Sequence, residues 1–142
     1  MASNHKRRWL VATIAISFAL PALAGTEDDV RAQLTAKGYT EVSELEYENG
    51  IWDADVTRAD GSRGEVAVDD QGEVYDGKDG RPLLDESDLF AKLTNAGYGG
   101  VNDIEREGAI FTADAYDKSG NKVELTISAY DGHVIHEERD DD

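Results

Sequence analysis

The sequence predicts an α+β protein built from two repeats. Each repeat is a helix followed by a three- to four-stranded antiparallel meander, with the helix on one sheet face. Three observations carry this expectation. A shift of 59 residues lays residues 30–69 on residues 89–128 without a gap, and 13 of the 40 aligned positions are identical. Ordinary composition gives roughly two or three by chance, so each copy is one supersecondary unit. Both copies open with capping residues and end a helical pattern at Gly-Tyr, Gly38-Tyr39 and Gly97-Tyr98. Both then change to a period of two, punctuated by glycine turns, as half-buried strands do.

Thr26 followed by Glu27, Asp28 and Asp29 starts the first helix, with carboxylates at the positive end of the helix dipole. Val30 and Leu34 form its apolar stripe, and Gly38 supplies the left-handed residue that ends it. Leu45 and Tyr47 then alternate with Glu44, Glu46 and Glu48. Asn49-Gly50 reads as a two-residue hairpin loop, pairing Glu48 with Ile51, Tyr47 with Trp52, Leu45 with Ala54 and Glu44 with Asp55. That register gathers Leu45, Tyr47, Trp52, Ala54 and Val56 on one face. A three-residue turn, Ala59-Asp60-Gly61, pairs Ala54 with Val66 and Trp52 with Val68; a two-residue turn there would mix the faces. Gly72 leads into a short strand at Val74-Tyr75.

A linker rich in Gly and Asp, residues 77–84, separates repeat 1 (residues 26–76) from repeat 2 (residues 85–136). Asp85, Glu86, Ser87 and Asp88 open the second helix, whose apolar positions are Leu89, Phe90 and Leu93. Ile104, then Phe111, Ala113 and Ala115, then Val123, Leu125 and Ile127 repeat the strand pattern. Lys118-Ser119-Gly120 matches the three-residue turn. One extra residue enters the second copy near Tyr130. Residues 137–142 read as a frayed acidic tail.

Composition bounds the address. The basic stretch His5-Lys6-Arg7-Arg8, an apolar run of about 12 residues and Ala22-Leu23-Ala24 make residues 1–24 an expected signal peptide, removed on export. The run is short of the ~20 residues a spanning helix needs, so no membrane segment is expected after cleavage. A periplasmic or secreted protein follows. The chain has no cysteine, hence neither a lipid anchor on cysteine nor a disulfide. Its formal charge is −17, and −20 once the three basic residues before position 25 are removed. Such a protein repels nucleic acid and anionic lipid and attracts cations or basic protein surfaces.

The helix ending Leu-x-x-x-Gly-Tyr, followed by apolar-x-x-Leu-Glu, an aromatic after the turn glycine, Asp-Gly and Val-x-Val-Asp-x-x-Gly-x-Val, resembles the PepSY family. In repeat 1 the matching residues are Leu34, Gly38, Tyr39, Val42, Leu45-Glu46, Trp52, Asp60-Gly61, Val66, Val68-Asp69, Gly72 and Val74. Repeat 2 matches through Leu93, Gly97, Tyr98, Val101, Ile104-Glu105, Phe111, Gly120, Leu125, Ile127, Gly132 and Val134. It departs at Gly99-Gly100, at Ser119 and at Ser128. The resemblance implies a helix packed on one sheet face and a role in restraining peptidases; with no peptidase domain following, a free-standing protein rather than a propeptide is expected.

The polar sheet faces hold the candidate site. The expected registers place Glu44, Asp55 and Glu65 in one row, and Asp103, Asp114 and Glu124 in its counterpart. Like charges side by side cost up to ~1 kcal/mol per pair, so a duplicated row suits a docking surface for a basic protein partner, a peptidase among the candidates. Ile51, Ile110 and Tyr116, expected to be exposed on that face, would add apolar contact. A calcium buffer or sensor is the alternative function, since carboxylates are hard ligands. Neither Asp76-x-Lys78 nor Asp117-x-Ser119-x-Asn121 completes a calcium loop. No enzyme, cofactor or metal site is expected: no nucleophile motif is present, and His133, His136 and Glu137 read as a terminal strand's surface residues.

Overall fold

The computed structural model describes residues 25–141; the expected signal peptide lies outside them. Helix α1 (Glu27–Ala36) is capped by Thr26, whose hydroxyl accepts the Asp29 amide at 3.2 Å. At its other end Gly38 takes φ 102°, so that the Tyr39 amide reaches the Leu34 carbonyl. Helix α2 (Glu86–Asn95) repeats both devices, with Asp85 as cap and Gly97 at φ 99°. The strands are β1 (Glu41–Glu48), β2 (Ile51–Thr57), β3 (Arg63–Asp69), β4 (Val74–Tyr75), β5 (Gly99–Glu107), β6 (Ile110–Tyr116), β7 (Lys122–Ser128) and β8 (Val134–Arg139). They form two antiparallel sheets in sequential order, β1-β2-β3-β4 and β5-β6-β7-β8. The protein is therefore α+β with two repeats, as its sequence predicts. Strand β8 takes in Glu137, Glu138 and Arg139, so the acidic tail expected from position 137 is sheet up to Arg139.

Each helix covers one face of its own sheet. Val30 and Leu34 pack on Ala54, Val56, Val66 and Val68. Leu89 and Leu93 pack on Phe111, Ala113, Val123, Leu125 and Ile127. Trp52 and Phe111 are equivalent positions, but Phe111 is fully enclosed whereas Trp52 is half-buried against the Tyr47 ring, 5.2 Å away.

The registers of β2 with β3 and of β6 with β7 are those the turn argument predicts: Ala54 opposite Val66, Trp52 opposite Val68. Gly61 and Gly120 take φ 86° and 82° at the third turn position. The β1–β2 register departs from expectation. It begins with Glu48 opposite Ile51 and Tyr47 opposite Trp52, then shifts between Glu46 and Ser43. Glu44 and Leu45 together face one residue, Ala54, and Glu44 takes φ 51°. Asp103 takes φ 49° at the same bulge in β5. The physical cause is the core: Val42 and Leu45 both pack under α1. An odd spacing cannot put both on one face of an unbroken strand, and one extra residue corrects the phase.

The faces turned away from the helices meet each other. Ile51, Ala67 and Tyr75 of repeat 1 form one buried cluster with Ala109 and Ile110 of repeat 2, flanked by Leu83, Tyr130 and Ile135. The layers run helix, sheet, sheet, helix. Each first hairpin turn rests on the other repeat's last strand region: Gly50 against His136, and Gly108 against the backbone of Gly77.

Candidate binding site: an acidic cleft between the repeats

Side chains that alternate outward on β2 and β3 enter the space between the two sheets. A cleft of about 510 Å³ opens there. Its walls carry Glu48, Asp53 and Glu65 from repeat 1 and Glu105 and Glu107 from repeat 2, with Arg106 the one basic residue among those lining it. Its floor is the apolar junction of Ile51, Ala67, Tyr75, Ala109 and Ile110. Asp53 is half-buried, and its carboxyl is pushed up to about 6, first by burial and then by Glu65, Glu107, Glu48 and Glu46. Burial, Glu107, Asp55 and Glu46 raise Glu65 in the same direction. Glu107 thus reaches across from one repeat to oppose two carboxylates of the other.

A second depression of about 480 Å³ continues outward over Glu41, Ser43, Asp55, Arg63 and Glu65. Two of the expected row members, Asp55 and Glu65, are direct partners in the β2–β3 ladder. Asp114 and Glu124 pair likewise, and the row extends to Glu138 on β8. Glu44 and Asp103 do not join these rows: the bulges put Ser43 opposite Asp55 and Asn102 opposite Asp114. Ile51 and Ile110, expected to be exposed, are each only 6% exposed, because the sheet junction buries them. Tyr116 is exposed, its ring lying over Gly100, whose backbone takes φ 58°, the left-handed region that favours glycine.

The sequence reading missed Glu48, Asp53, Glu105 and Glu107. The signal was available in the alternation: Asp53 lies two residues from Asp55 on the same face. Also missed was the Asp76 knot beside the cleft. Arg58 grips Asp76 with two bonds of 2.8 and 2.9 Å, and Tyr39 donates to the same carboxylate at 2.8 Å. Tyr98 and Glu137 repeat the tyrosine–acid contact at 2.5 Å in the second copy. Tyr130, the extra residue of repeat 2, binds the linker. Its hydroxyl accepts the Asp76 amide, lies 2.8 Å from the Asp76 carbonyl and 2.9 Å from Asp79, and its ring lies 3.6 Å under the Arg81 guanidinium.

In comparisons with known proteins, no family model and no curated sequence matches the chain. Among the described residues, no helix is long and apolar enough to cross a membrane.

Proposed function

We propose that this is an exported, PepSY-like binding protein that receives a basic segment of a protein partner in the acidic cleft, and that a peptidase is the class of partner to test first. The observation that supports the reading is the convergence of five carboxylates from both repeats on one cleft, where burial first and the neighbouring carboxylates second hold Asp53 near 6. Such an arrangement is unfavourable in the free protein, and an incoming lysine or arginine side chain relieves it. The apolar floor offers the stem of such a side chain a surface to pack on.

Binding of lysine-rich peptides and of basic peptidases to the mature protein tests the proposal. Asp53→Asn with Glu107→Gln is expected to weaken binding at least tenfold and to flatten its salt dependence. Parental binding by this double variant at all salt concentrations would overturn it. A calcium buffer or sensor is the second choice, resting on the number of carboxylates in the cleft. A melting shift at sub-millimolar calcium, lost in the same variant, would favour that reading over protein binding.

A further inference from the structure

We propose that Asp69, Glu73 and His133 form a site for one divalent first-row transition cation of the zinc type, built across the junction of the two repeats. Asp69 and Glu73 belong to the β3–β4 turn, and His133 to the β7–β8 turn. One donor atom from each lies within 4.8 Å of the others. None of the three lines the acidic cleft, although Tyr75, which stands between them, also forms part of the cleft floor.

Two of the donors are already aimed. Asp69 is only 5% exposed, and its Oδ1 accepts the Gln71 and Glu73 amides at 2.9 Å each, which turns Oδ2 toward the cluster. The His133 ring sets Nδ1 2.5 Å from Asp131 Oδ1 and Nε2 into the cluster. A ligating imidazole is held in this way: its second nitrogen donates to a carboxylate, and the tautomer so fixed leaves the Nε2 lone pair for the metal.

The Tyr75 hydroxyl stands among the three donors, 2.8 Å from Asp69 Oδ2, 3.2 Å from His133 Nε2 and 3.4 Å from Glu73 Oε2. In a tetrahedral zinc site, bonds of about 2.0–2.2 Å set neighbouring donor atoms about 3.3–3.6 Å apart. The contacts to His133 and Glu73 are close to that spacing, and the shorter one to Asp69 is a hydrogen bond that a cation entering the cluster would replace. The hydroxyl's one proton goes to Asp69 Oδ2 at the shortest of the three contacts, which leaves exposed Glu73 and His133 open to water or to a cation. A cation serves all three together. Two carboxylates and an imidazole suit zinc and its neighbours, whereas calcium asks for six to eight oxygens.

The test is calorimetric titration of the full chain, without a histidine tag, with zinc chloride and separately with calcium chloride. The expected result is one saturable zinc site, not competed by a tenfold excess of calcium. His133→Ala and Glu73→Gln should each weaken it at least tenfold, and His136→Ala should leave it unchanged. Glu73 and His133 are both exposed, so metal-free melting should stay near the parent's; if His133→Ala nevertheless unfolds, Glu73→Gln decides. Imidazole resonances of His133, and not of His136, should move on zinc addition. Absence of a saturable zinc site in the parent, or parental affinity in Glu73→Gln and His133→Ala, would overturn the proposal.

Discussion

Burial makes Asp53 costly to ionise, and Glu65, Glu107, Glu48 and Glu46 add to that cost. Its folded-state pKa, about 6, lies above the ordinary value of about 3.9, so the folded protein takes up this proton first. Asp53 therefore adds stability as pH falls through 6, and that contribution is lost as pH rises through the same value. Asp76 has the opposite sign. Burial works against its charge, yet the Arg58 guanidinium, the Lys78 amide and the Tyr39 hydroxyl outweigh it and hold its pKa low. Its contribution is present above about pH 4 and is lost as acid protonates it. Asp53→Asn should then gain about 1 kcal/mol at pH 7.5, a figure reduced for the solvent that still reaches the side chain. It should also lose the parent's slope between pH 7 and 5; denaturant melts at several pH values measure both. Arg58→Ala, by contrast, should cost about 3–5 kcal/mol, because it leaves Asp76 charged, buried and unpaired. Chemical denaturation at pH 7.5 reads that loss.

The elements follow from local rules so regular that both copies obey them. Caps, glycine stops and turn lengths were all legible, because each rests on a backbone requirement that a particular residue type meets. The bulges were legible too, in the three-residue spacing of Val42 and Leu45 and of Val101 and Ile104, which plain alternation cannot satisfy. Reading Glu44 as a regular strand residue misplaced it by one position and sent it into the wrong row. At φ 51° and 49°, Glu44 and Asp103 bear a left-handed backbone that glycine adopts more easily. Glu44→Gly and Asp103→Gly should each stabilise the protein by about 0.5–1 kcal/mol, readable as a higher denaturant midpoint with an unchanged slope. A loss instead would mean that the carboxylate supports the bulge. What the sequence could not show was the far side of each sheet. An isoleucine at the first outward position of both β2 and β6, among charged neighbours, was the one sign that those faces meet.

At the scale of the molecule, the two repeats are joined by unlike contacts that sequence identity between them does not reveal. The Tyr75 and Tyr130 rings stack at 5.9 Å across the junction, and the second of these has no counterpart in the first copy. The Gly77 backbone passes so close to Gly108 that an added methyl group would come within 3.0 Å of main-chain atoms. Gly77→Ala should therefore cost about 1–3 kcal/mol by forcing the repeats apart, and hydrogen exchange should quicken at Ile51 and Ile110. Unchanged protection there would show that the junction does not depend on this approach. The two open sheets also leave four strand edges, and the features already described cover each of them. The edge strands β1 and β5 carry the bulges together with Glu41, Glu46 and Glu48, or Glu105 and Glu107. Strand β4 is two residues long, and β8 ends in Glu137, Glu138 and Arg139. A kinked, short or charged edge is a poor template for another chain's backbone. The bulge that corrects the phase of the core thus also protects the protein against growth into fibrils.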